Sequence, residues 1–168
     1  MIKIGNNISS FSTHSCQPKT KKELIDIIRS RISEYGNNCD LNDIDVSLIE
    51  DISSLFYRSQ FNGNVSEWNV SNAKDMTGLL YRIKFNGDIS NWNVSNVNNM
   101  WAMFYMSKFT GDISKWDVSK VEDMSCMFKD AVFTGDISEW KINKDCDTAG
   151  MFYGCPIKEE YKPKILQR

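Results

Sequence analysis

The chain has 168 residues, of which 41% are apolar and 12% aromatic, and a formal charge of −2. That is enough apolar material for one domain with a real core, and no stretch is long enough to cross a membrane as a helix. The small total charge hides a division: residues 37–155 hold ten Lys and Arg against seventeen Asp and Glu, which argues against nucleic acid as a partner.

Residues 1–17 read as a polar leader. The opening fifteen lack an apolar h-region and a small-residue cleavage site, so the expected home is the cytoplasm, with export that cleaves no signal as the alternative. Residues 18–36 predict one long helix. Thr20-x-x-Glu23 forms a capping box, Leu24, Ile25, Ile28, Ile32 and Tyr35 make an apolar stripe, and Gly36 suits the C′ position. A repeat array needs its first coil shielded from water, so this helix is read as an N-terminal cap.

From 37 to 156 the chain repeats at 24 residues. Phe61, Phe85, Phe109 and Phe133 each open a unit, and Trp68, Trp92, Trp116 and Trp140 follow seven positions later. A degenerate copy precedes them, because Val46, Ser47, Asp51, Ile52, Leu55 and Phe56 lie 24 residues before Val70, Ser71, Asp75, Met76, Leu79 and Leu80. About four and a half units clear the minimum of about three that a stacked array needs. Within a unit, Gly63, Gly87, Gly111 and Gly135 sit among turn residues, where glycine can supply a positive φ. The piece from Val65 to Val70, with Ile89 to Val94 after it, reads as a short strand. Ser71, Ser95 and Ser119 then read as helix N-caps, with capping boxes at Ser47-x-x-Glu50 and Ser119-x-x-Glu122. Val97, Met100, Met103 and Phe104 follow at helical spacing. The predicted fold is therefore an α/β repeat, one short strand and one helical turn per coil. Residues 157–168 read as a C-terminal cap or tail.

The string D-I-S-x-W-x-V-S-x-V-x-x-M-x-x-M-F, clearest at 88–104 and 112–128, resembles the BspA-like leucine-rich repeat of bacterial surface and mycoplasma lipoproteins. The resemblance spans about 115 residues. It implies a right-handed leucine-rich-repeat-like solenoid with a sheet along one face. It implies no shared enzymatic activity and no catalytic residues.

Several columns are candidate sites. The tryptophans could form a binding stripe, but each indole can bury about 150–250 Å², which favours the core. The same holds for the phenylalanine column and for Met76, Met100 and Met124. By the period-two rule of a strand, Asn69, Asn93, Asp117 and Lys141 point outward, and Glu67, Asn91, Lys115 and Glu139 vary similarly just before each tryptophan. These eight are the candidate partner-binding residues. Asp88, Asp112 and Asp136 invite a calcium reading, yet one carboxylate per coil is too few, and turn bonds to the backbone explain them better. Five cysteines at 16, 39, 126, 146 and 155 hold no C-x-x-C pair and read as reduced thiols, with a Cys146–Cys155 bridge as the oxidised alternative. The single histidine, His14, lies in the leader, and no motif for a nucleophile, metal or phosphate is present.

The functional expectation is a non-enzymatic scaffold that binds a protein partner, an inhibitor or effector in its more specific form, with no cofactor or metal. The alternative is an adhesion module contacting glycan or matrix after signal-independent export.

Overall fold

The computed structural model describes residues 16–167, so most of the polar leader, with His14, lies outside the described residues. The helix α1 runs from Lys21 to Tyr35. The Thr20 hydroxyl accepts from the Glu23 N–H, and the N–H of Gly36, at φ 84°, donates to the Ile32 carbonyl. Leu24 and Ile28 are buried against the first coil. Lys21 reaches the Asp51 carboxylate at 2.8 Å and Arg31 that of Asp43 at 2.6 Å.

The 24-residue units lie one over another in register. Parallel bridges join Asp51 to Asp75, Asp75 to Asn99, Asn99 to Asp123 and Asp123 to Asp147. The Trp68 and Trp92 rings stack at 6.2 Å and 6°, and Phe61, Phe85 and Phe109 follow at 6.1 and 6.4 Å. The four tryptophans of the column are at most 4% exposed, and the phenylalanine column and Met76, Met100 and Met124 at most 1%. Each Trp Nε1–H donates to a carbonyl of the preceding coil: Trp68 to Leu41, Trp92 to Val65, Trp116 to Ile89 and Trp140 to Ile113, at 2.9–3.2 Å. Burying the indole therefore leaves no orphaned donor.

The expected strand and helical turn are absent, and this corrects the predicted fold. Among the described residues there is one α-helix, two 3₁₀ turns (Glu159–Tyr161 and Lys164–Leu166) and isolated bridges, with no sheet. A strand-plus-helix coil of leucine-rich-repeat type is therefore not what these units form. Turns replace both pieces. In the presumed strand, the N–H of Trp92 folds back to the Ile89 carbonyl and that of Val97 to the Val94 carbonyl, each spanning three residues. Ser71, Ser95 and Ser119 cap no helix; their N–H groups donate instead to Asn69, Asn93 and Asp117.

The presumed helix fails for a visible reason. Ser54, Gly78, Ala102, Cys126 and Gly150 form a column of positive φ at 24-residue spacing, and Arg58, Arg82, Met106, Asp130 and Gly154 form a second. A left-handed residue breaks the α-helix at once. Between these points the even-numbered N–H groups leave the coil. Ile52, Ser54, Phe56 and Arg58 donate to the carbonyls of Asp75, Thr77, Leu79 and Tyr81 in the next unit, and the pattern recurs from Met76, from Met100 and from Met124. Val97, Met100, Met103 and Phe104 are fully buried all the same. Hydrophobic spacing reported burial there without reporting conformation.

The repeated glycines also serve a purpose other than the expected one. Gly63, Gly87, Gly111 and Gly135 have no positive φ. A Cβ at Gly87 or Gly111 would lie 2.7 Å from the ring of Phe85 or Phe109, and one at Gly63 would overlap the Cys39 carbonyl oxygen. Glycine here lets a phenylalanine ring close over its own backbone. At the far end, residues 157–167 lie against the last coil: Ile157 is buried, the Ile137 N–H donates to the Tyr161 carbonyl, and Lys164 pairs with Glu139 at 3.0 Å.

Candidate functional site

Each unit has two exposed sides of different construction. On the tryptophan side, short polar side chains cap the turns. Asp40, Asn64, Asp88, Asp112 and Asp136 accept from the N–H two residues on, at 2.8–3.1 Å. Asp45, Asn69, Asn93 and Asp117 do the same at 2.9–3.2 Å. These are Asx turns, the local alternative to regular structure. The Ser90 and Ser114 N–H groups, then their hydroxyls, hold Asp88 and Asp112 below the ordinary carboxylate range. Among the described residues no cluster of metal-ligating side chains forms.

The eight predicted partner-binding residues all lie on this side and all are exposed. The structure does not gather them into one site. Asn69, Asn93 and Asp117 are engaged as turn caps, with the Ser119 hydroxyl and N–H lowering the pKa of Asp117. Glu139 is tied to Lys164. Asn91 and Lys115 share a small cleft with Ser90 and Asp112. Glu67 borders a shallow hollow with Arg31, Tyr35 and Asp43, and Lys141 borders another with Trp140 and Lys164.

The other side carries the columns of left-handed residues, and sequence reasoning missed it as a site. A third column of Asx turns opens each segment: Asp51, Asp75, Asn99, Asp123 and Asp147 accept from Ser53, Thr77, Trp101, Ser125 and Ala149 at 2.7–2.9 Å. Tyr57, Tyr81, Tyr105, Lys129 and Tyr153 then occupy one position. Tyr57 stacks on Tyr81 at 4.6 Å and Tyr81 on Tyr105 at 4.7 Å. The Lys129 ammonium lies 5.8 Å from the Tyr105 ring and 5.3 Å from that of Tyr153, so a cation continues the column. Tyr57 is 47% exposed, Trp101 44% and Tyr153 70%, with Met106 beside them. Burial first, and then the neighbouring Tyr57 and Tyr105 phenols, push the Tyr81 phenol above its usual range. A groove of about 460 Å³ between this segment and α1, lined by Ile28, Ile32, Leu55 and Tyr57, continues the side toward the N-terminal end. The signal for this side was present in the chain. Tyr57, Tyr81, Tyr105 and Tyr153 recur at multiples of 24, and Gly78, Gly150 and Gly154 interrupt what otherwise reads as a helix.

The five cysteines are free thiols. Burial pushes the Cys146 and Cys155 thiols up, and the Cys155 Sγ donates to the Phe133 carbonyl rather than meeting Cys146. No helix among the described residues is long and apolar enough to cross a membrane. One family model, described as Mycoplasma protein of unknown function, DUF285, matches residues 28–108 and again residues 79–162. No curated protein and no solved structure matches the chain.

Proposed function

The chain belongs to the family described as Mycoplasma protein of unknown function, DUF285, and we propose that it is a non-catalytic scaffold holding a protein partner on the face of stacked tyrosines. One observation carries this reading. On that face the coils are already joined by backbone bonds, such as Ala102 to Ser125 and Phe104 to Met127, so the architecture does not require large apolar side chains to be exposed there. The chain nevertheless leaves tyrosine, tryptophan and methionine there in contact with water. Aromatic residues and Met are the types enriched in interface cores, and mutual stacking holds these rings without further ordering cost. Action by occupying the partner, as an inhibitor or effector does, is the form such a rigid surface suits.

Affinity capture of the whole protein, repeated with Tyr81→Ala/Tyr105→Ala, tests the reading. The partner should be retained by the parent chain, and the purified pair should lose at least about tenfold in affinity in the variant, as for an interface hot spot. A partner held equally by the variant would move the interface elsewhere.

A further inference from the structure

The tyrosine face is also where the positive charge of an acidic array collects. Within residues 53–60, 77–84, 101–108 and 125–132 stand Arg58, Arg82, Lys84, Lys108 and Lys129, five of the ten cations between 37 and 155. With the aspartates that open the segments, Asp51, Asp75, Asp123 and Asp147, and with Asp130, this side holds five of the seventeen carboxylates, so its five cations are balanced, whereas the other five cations of the array face twelve carboxylates. The aspartates that open these segments turn their oxygens to the backbone N–H groups of Ser53, Thr77 and Ser125. Of the other five cations between 37 and 155, Lys74 pairs with Glu50, and Lys115, Lys120, Lys141 and Lys144 share the rest of the array with its remaining carboxylates; flanking the array, Lys21 pairs with Asp51, Arg31 with Asp43 and Lys164 with Glu139. Among the described residues, Arg58, Arg82, Lys84 and Lys108 have no such carboxylate.

We propose that this face takes an acidic segment of a partner protein, laid across the coils so that its carboxylates meet Arg58, Arg82 and Lys129 beside the tyrosine column. The inference rests on the docking reading above and names the chemistry of what docks. The ring geometry separates this partner from a single-stranded nucleic acid. Such a strand needs open aromatic faces on which bases stack. Here the faces of Tyr81 are covered by Tyr57 and Tyr105, at 4.6 and 4.7 Å, and Tyr105 is covered on its far side by Lys129. What remains outward is the ring edge, the positive part of the aromatic quadrupole, which together with the guanidinium groups favours carboxylate over base. Each exposed ion pair contributes little, so recognition needs several at once and weakens with salt.

The test is a fluorescence-anisotropy titration of the intact protein with a short labelled peptide of alternating Glu and Tyr. Its Gln-for-Glu counterpart and oligothymidylate are titrated in parallel. The Glu peptide should bind and the Gln peptide should bind at least about tenfold more weakly, the size expected when complementary charges are removed. Arg58→Glu/Arg82→Glu should lose the Glu peptide to the same extent with its thermal unfolding unchanged. Lys115→Glu/Lys141→Glu, the same change of net charge on the tryptophan side, should retain it. Equal binding of the two peptides, tighter binding of oligothymidylate, or equal losses in the two charge reversals would overturn the inference. A Gln peptide that binds and is lost in Tyr81→Ala/Tyr105→Ala would remove the acidic partner while leaving the docking face. Failure of every probe to bind would sink the acidic segment, and the docking reading would then stand or fall on the capture experiment.

Discussion

The two sides of each coil solve one problem in opposite ways. On the tryptophan side, side chains join the units: the Trp92 indole reaches the Val65 carbonyl, the Asn96 amide reaches that of Ser71, and the Thr110 N–H donates to the Asn86 side chain. On the tyrosine side, backbone joins backbone, as from Met100, Ala102, Phe104 and Met106 to Asp123, Ser125, Met127 and Lys129. Where side chains do the joining, their identity is tied to the architecture and repeats from coil to coil. Where the main chain does it, the outward side chains add ring stacking, Tyr57 on Tyr81 and Tyr81 on Tyr105, to coils already bonded. The buried tryptophans of the first side explain why the repeat is so plain.

The contrast can be broken most forcefully at a tryptophan. Trp92→Ala should cost about 3–5 kcal/mol in chemical denaturation, as for a large buried aromatic, whereas Tyr81→Ala should stay within about 1 kcal/mol. Equal costs would erase the distinction between the two sides. Trp92→Phe keeps much of the apolar volume but removes the indole bond to the Val65 carbonyl, which keeps the Trp68 N–H, so a loss of about 0.5–1.5 kcal/mol is expected from the same measurement. No loss would mean the indole bond is not what joins the coils.

On the tyrosine side the left-handed columns can be sharpened by exchange of glycine. Ala102 holds φ 51° and Gly78 holds φ 56° at the same repeat position. Gly78→Ala should lower stability by about 1 kcal/mol, and Ala102→Gly should raise it by up to about that much, less the entropy gained by the unfolded chain. Opposite signs in thermal melts would deny that backbone conformation governs this side.

The smallest expected effect is the pH response of the turn caps. Asp88, Asp112 and Asp136 are held below the ordinary carboxylate range, first by the N–H groups of Ser90, Ser114 and Ser138 and then by their hydroxyls. A depressed folded pKa stabilises the protein above the unfolded value of about 3.9, and that contribution is lost as pH falls through the lower folded value. The melting temperature should therefore fall in acid. In Asp88→Asn/Asp112→Asn/Asp136→Asn, which keeps a turn acceptor without titrating, the fall should be shallower. An unchanged acid limb would assign it to other carboxylates.

What could be read in the chain follows the same division. The period, the helix at Lys21–Tyr35 with its Thr20 cap and the in-register stacking of the Phe and Trp columns all come from residues whose side chains carry the structure. The expected strand over Ile89 to Val94 and the expected helix after Ser95 do not form. Tryptophan and valine score as strand and Val97, Met100, Met103 and Phe104 score as helix because burial spacing is all that such patterns measure. Asn69, Asn93 and Asp117 are exposed, but their oxygens are spent on turns, which alternation along a strand cannot show.

By itself the sequence determined that like residues lie over like and that the phenylalanine and tryptophan columns are inside, because a fixed 24-residue interval leaves apolar side chains no other way to leave water together. The turn-built coil, the left-handed columns at Ala102 and Met106, and the gathering of Tyr57, Tyr81 and Tyr105 with Arg58 and Arg82 on one face were decided only in the tertiary structure. Those features depend on main-chain bonds between coils. An amide carries the same donor and acceptor in every residue but proline, so the letters of the chain do not record where it points.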